Sequence, residues 1–167
     1  AEITRRRWLL IDADAVRPAG ISATDEEHDA ALQRSQAVAA WLRLHGWPDP
    51  IQADSGNGSH LLYRVDLPAD DGGLCHRVLK ALAAQFNDAA VTIDPSVANA
   101  SRICKLYGSV SRKGDSVLGR PHRLARILHA PDPIAVVSRE LLEAVVATIP
   151  TPRKTEAPAG GNGTLSR

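Results

Sequence analysis

Two acids two residues apart, Asp12 and Asp14, close the apolar run Trp8-Leu9-Leu10-Ile11. A third, Asp94, closes the run Ala90-Val91-Thr92-Ile93, and His60 opens another, Leu61-Leu62-Tyr63-Arg64-Val65. Carboxylates in such a set are hard oxygen ligands, suited to Mg²⁺ or Mn²⁺ rather than zinc. Two such ions, roughly 3.5–4 Å apart, clamp the attacking and leaving oxygens of an in-line phosphoryl displacement. Further on, Arg102, Lys105, Arg112, Lys113, Arg120, Arg123 and Arg126 stand against Asp115 alone, a local charge of +6 in a chain whose formal net charge is +1. The rest of the chain is therefore −5, and the asymmetry points to a phosphate-rich partner at one place.

These residues can meet only if the strands that carry them are neighbours. Side chains alternate along a strand, so Asp12 and Asp14 lie opposite to Leu9, Ile11 and Ala13, and His60 and Asp94 lie opposite to the apolar residues beside them. Thr24 with Glu27 forms a capping box, after which Leu32, Val38, Ala39 and Leu42 repeat at helical spacing until Gly46. Ser55-Gly56-Asn57-Gly58-Ser59 reads as a hairpin turn, since it lacks the GxxxxGK[ST] spacing and leads into a strand. Leu74, Val78, Leu82 and Phe86 mark a second helix.

The resulting order, βαββαβ, predicts an α+β fold: a split-βαβ, RRM-like antiparallel sheet of spatial order 4-1-3-2, with two helices on one face and an open catalytic face. Asp12, Asp14, His60 and Asp94 all fall on the open face. Ideal pairing suits His60 but sets Asp94 toward the wrong end of the first strand. A short helix over residues 99–105, a basic loop, a strand over 123–128 and a helix from Ser138 complete the catalytic core, residues 1–149. Residues 150–167, rich in Pro, Gly and Ser, read as a disordered linker with a further domain beyond it.

With the order of these pieces in hand, a resemblance becomes specific. Ile11-Asp12-Ala13-Asp14 resembles motif I (hydrophobic-D-x-D) of the archaeo-eukaryotic primase superfamily. Gly58-Ser59-His60 resembles motif II (small-x-His), and Thr92-Ile93-Asp94 resembles motif III. Residues 99–102 through 112–114 are similar to the conserved tail of the bifunctional primase-polymerases of plasmids, phages and other mobile elements. The resemblance implies a metal-dependent nucleotidyltransferase that makes or extends DNA or RNA primers from nucleoside triphosphates on a template. It gives Asp12, Asp14 and Asp94 the catalytic, metal-holding role for two Mg²⁺ or Mn²⁺ ions. Ser59, His60, Arg102 and Lys105 would bind the nucleotide, and Arg112 and Lys113 the nucleic acid. The family carries a further α/β module ahead of motif I, whereas seven residues precede the first strand here, so the chain reads as a catalytic-core fragment. A helicase or other replication domain is the expected neighbour beyond the linker.

Composition is that of a globular protein, with 44% hydrophobic and 23% charged residues, and no apolar run is long enough to cross a bilayer. Cys75 and Cys104 form no CxxC pair, which argues against a disulfide framework and for a cytoplasmic setting. Two other classes are open. A non-catalytic RRM-like nucleic-acid module would present stacking aromatics, and the predicted open face offers Trp8 but mostly acids. A metal-dependent phosphodiesterase would use the same carboxylates with water as nucleophile, although the basic segment suits a triphosphate better. Asp54 and the acids Asp25, Glu26 and Glu27 attract no role beyond turn and helix-dipole chemistry.

Overall fold

The computed structural model describes residues 3–148. The capping box starts the first helix, α1 (Asp25–Leu44): Thr24 Oγ1 accepts from the Glu27 amide at 3.2 Å, and Glu27 Oε2 accepts from the Thr24 amide at 2.9 Å. The strands ahead of and behind it are β1 (Arg5–Ala15), β2 (Ile51–Asp54) and β3 (Gly58–Pro68), the first and last longer than their apolar runs suggest. Helix α2 (Leu74–Phe86) and strand β4 (Val91–Ile93) follow.

The main sheet is antiparallel with order β4-β1-β3-β2-β7, where β7 is Arg126–His129. Leu9 and Ile11 of β1 and Leu61, Tyr63 and Val65 of β3 pack against Val38 and Leu42 of α1 and Val78, Leu79 and Leu82 of α2. Every second residue of β1 and β3 is thus committed to the helices, and each such aliphatic side chain contributes roughly 1.5–3 kcal/mol. Helix α3 (Arg139–Ala147), capped by Ser138, adds Leu142 and Val145 to the same core.

Two expectations change. The strand predicted over 123–128 splits in two: β6 (Arg123–Leu124) pairs with β5 (Val110–Ser111) in a separate ribbon, and β7 continues into the main sheet. The break falls at Ala125, which is fully buried and exchanges backbone hydrogen bonds with Gly108 and Ser109. No α-helix forms over 99–105. A short 3₁₀ helix, Pro95–Ala98, ends at Asn99 in extended backbone, and Ile103 and Leu106 are exposed, so that stretch has no apolar face to bury as a helix.

No helix among the described residues is long and apolar enough to cross a membrane. The linker expected over 150–167 lies outside the described residues.

Candidate functional site

The register between strands assembles the site. Along β1 and β3, Asp14 lies opposite Gly58 and Asp12 opposite His60. Along β1 and β4, Ala13 lies opposite Ile93, and the Asp94 amide donates to the Asp12 carbonyl at 3.0 Å. Asp94, Asp12 and His60 therefore form one row across three strands, with neighbours about 4.5–5.5 Å apart at Cα. The expected misplacement of Asp94 does not occur, because β4 is short and pairs only with the end of β1. Gly58 is required here: a Cβ at this position would sit 2.4 Å from the Ala13 carbonyl and 2.7 Å from Asp14 Oδ1.

This row is the floor of a cavity of about 390 Å³. Asp12, Asp14, His60 and Asp94 line it from the sheet, and Arg102, Lys105 and Lys113 line it from the segment above. The face expected to be open is thus roofed at its centre. Lys105 donates to the Val110 carbonyl at 3.0 Å and Arg102 to the Ser96 carbonyl at 2.6 Å, and each keeps further donors for a ligand.

Burial and the charges of Asp14 and Asp94 push the Asp12 carboxyl up to about 7, with Lys113 and Arg102 opposing. Among the described residues the Asp12 carboxylate accepts no hydrogen bond; its nearest basic partner is His60 Nε2 at 3.5 Å from Oδ1. Three neighbouring carboxylates, one of them without a hydrogen bond, are of the oxygen type that a hard divalent cation takes. It does not form a closed cage. Asp94 spends its oxygens on the Ser96 amide and hydroxyl at 2.8 and 2.7 Å, and Asp14 leans on Arg17 at 3.2 Å. Among the described residues no group of three or more His, Cys, Asp or Glu side chains converges to hold a metal. Asp12 and Asp14 are the pair best placed to do so.

One assignment is corrected, and the others find definite surroundings. Ser59, expected to bind the nucleotide, does not face the cavity: it is buried toward the helices, with its hydroxyl 2.6 Å from Ser35 Oγ, because its parity is opposite to that of His60. His60 is on the cavity face but is only 5% exposed, covered by Tyr107, whose hydroxyl lies 2.8 Å from Nδ1. Burial lowers the His60 pKa while the Asp14 and Asp54 charges resist, so the ring is mainly neutral at neutral pH. Arg112 is exposed and does not line the cavity, although Lys113 does. Three other cations of the basic segment are engaged elsewhere. Arg120 grips Glu27 with two bonds, Arg123 meets Asp25, and Arg126 approaches Asp54. The acids of the first turn of α1 therefore anchor this segment as well as meeting the helix dipole.

Two contributors escaped the sequence. Asn57 accepts from the Ala23 amide at 2.8 Å and donates to Ser111 Oγ at 2.9 Å, tying the hairpin turn to the loop before α1 and to β5. Its place between two glycines signals a turn and nothing of partners 34 and 54 residues away. Tyr107, the one aromatic residue in the basic segment, gives only that weak signal of its bond to His60. Comparison with protein-family models, curated proteins and solved structures found no match for this chain.

Proposed function

We propose that the chain is the catalytic core of a metal-dependent nucleotidyltransferase that makes or extends a DNA or RNA primer from nucleoside triphosphates on a template. The observation that carries this reading is the meeting of Asp12, Asp14, Asp94 and His60 with Arg102, Lys105 and Lys113 around one cavity. Acids below and cations above are what a triphosphate with a divalent counter-ion requires. The first six elements, ordered βαββαβ with strands 4-1-3-2, are in keeping with the split-βαβ, RRM-like arrangement.

In this reading Asp12 and Asp14 hold Mg²⁺ or Mn²⁺, with Asp94 as the third carboxylate of the row. The ions, when bound, supply Lewis-acid stabilisation of charge on the reacting phosphoryl group. Arg102, Lys105 and Lys113 neutralise the triphosphate, Arg through its planar fork and Lys as point charges. A Tyr107 O–H donated to His60 Nδ1 leaves the ring proton on Nε2, where the neutral imidazole donates a hydrogen bond toward the cavity without adding charge.

Incubation with primed and unprimed templates, labelled nucleotides and Mn²⁺ or Mg²⁺ tests the reading directly. Incorporation that stops on chelation is expected; no incorporation on any template with either ion would sink it. Arg102→Ala and Lys105→Ala should each weaken triphosphate binding about 10- to 150-fold, the span of a hydrogen bond to a charged group. Monophosphate binding should change much less. Equal weakening of both ligands would move these side chains to the sugar, the base or the scaffold.

A further inference from the structure

Two more pairs extend the cavity side of β1 and β3 beyond Asp12 and His60: Leu10 opposite Leu62 and Trp8 opposite Arg64. Along this line the surface turns from acidic to apolar and cationic, with Arg5, Arg6 and Arg7 also lining the far end. A second cavity of about 230 Å³ lies here, with Trp8, Leu10, Leu62, Val97 and Arg102 in its wall and no carboxylate among its lining residues. It shares Leu10, Val97, Arg102 and Cys104 with the first, so the two are halves of one trough. Trp8 is 37% exposed in the middle of a strand, and the Arg64 guanidinium sits 5.3 Å from its ring centroid. Among the described residues Arg64 makes no ion pair, whereas Arg5 and Arg7 beside it are both bound to Asp66.

We propose that this second half is a nucleobase subsite, in which a base stacks on the face of the Trp8 indole not covered by Arg64, between Leu10, Leu62 and Val97. Arg64 and Arg102 meet the sugar or phosphate oxygens attached to it. The chemistry is that of sequence-tolerant recognition: an aromatic face for the π-system, apolar walls, and guanidinium groups that have no carboxylate partner among the described residues. Four residue steps along β1 lead from Trp8 to Asp12, about 13 Å at the rise of a strand. A trough of that length has room for phosphates at the acidic end and a base at the apolar end. The identity of the ligand rests on the nucleotidyltransferase reading; the stacking surface does not. The base belongs either to the incoming nucleotide or to a single strand lying across the sheet, and the two are separable.

Affinities for ATP, for a short labelled oligo(dT) and for inorganic tripolyphosphate should be measured with Mg²⁺ and in EDTA on wild type, Trp8→Ala, Trp8→Phe and Asp12→Asn, with melting curves for each. Trp8→Ala is expected to weaken base-bearing ligands about 5- to 150-fold, the range for one stacked base. Trp8→Phe should recover most of the loss, and tripolyphosphate binding should not move. Loss for ATP identifies the base of the incoming nucleotide, and loss for oligo(dT) alone identifies a strand. Unchanged binding of both, no binding of either by wild type, or a loss shared by tripolyphosphate together with a lower melting temperature would overturn the subsite. Failure of the transfer reading looks different. Wild type would then incorporate no nucleotide and Asp12→Asn would match it with metal present, while the Trp8 effect on ATP or oligo(dT) persisted.

Discussion

Asp12→Asn is expected to abolish nucleotide transfer and, at the same time, to make the metal-free protein more stable. The first half follows from losing a carboxylate that holds the cation: metal-assisted catalysis supplies several kcal/mol, so the rate should fall on the order of 10³-fold or more. The second half follows from the Asp12 carboxyl, pushed from 3.8 up to about 7 by burial and by Asp14 and Asp94. A folded-state pKa above the unfolded one means that the native state binds the proton more tightly, so stability falls as pH rises from about 4 to about 7 and then levels off. At 1.36 kcal/mol per pH unit the whole effect is roughly 4 kcal/mol at most, less what the partial exposure of the side chain relieves. Melting temperatures in EDTA should therefore decline across that window in wild type and stay flatter in Asp12→Asn. Mn²⁺ should restore stability to wild type and leave the variant unmoved. Parallel pH profiles, or equal responses to Mn²⁺, would remove Asp12 from the role given to it.

The parts of this site that were legible in the sequence are those governed by local rules. Period-two alternation set Asp12, Asp14 and His60 against Leu9, Ile11 and Leu61, and the capping box at Thr24 and Glu27 fixed where α1 begins. The nucleotide role expected of Ser59 came from the motif and not from parity; alternation alone puts Ser59 with the helices, where it is found. What could not be read was long-range. Whether Arg120 and Arg123 serve a ligand or the acids of α1 depends on contacts spanning more than 90 residues. The roof over His60 depends on how an irregular segment without an apolar face folds back. Asp94 lay between the two cases: its face followed from parity, and its row followed from a register that only strand length decides.

The residue whose loss should cost the fold most among those near the site is Asp54, an acid with no evident role in the sequence. It is 3% exposed and ends β2. Its Oδ1 accepts from His28 Nε2 at 2.9 Å and from the Gly56 amide at 2.7 Å, and Arg126 stands 3.9 Å from Oδ2. One carboxylate thus joins α1, the hairpin turn and β7 at the point where the turn enters the site. Burial by itself would raise its pKa, but the bonds from His28 and Gly56 and the charges of His28 and Arg126 outweigh it and lower the value. With the folded pKa below the unfolded one, the stabilisation is present at neutral pH and is lost as pH falls below the ordinary carboxylate range. Asp54→Ala leaves a buried imidazole and a turn amide without their acceptor, so a loss of about 3–5 kcal/mol is expected, a large part of the 5–15 kcal/mol that holds a typical domain together. Asp54→Asn keeps an acceptor oxygen and should lose about half as much. Urea titration of the three proteins at neutral and acidic pH measures both claims. A midpoint in Asp54→Ala equal to wild type at pH 7 would show that the turn is held by Asn57 and the backbone alone, and a gap that failed to narrow in acid would separate the effect from the charge.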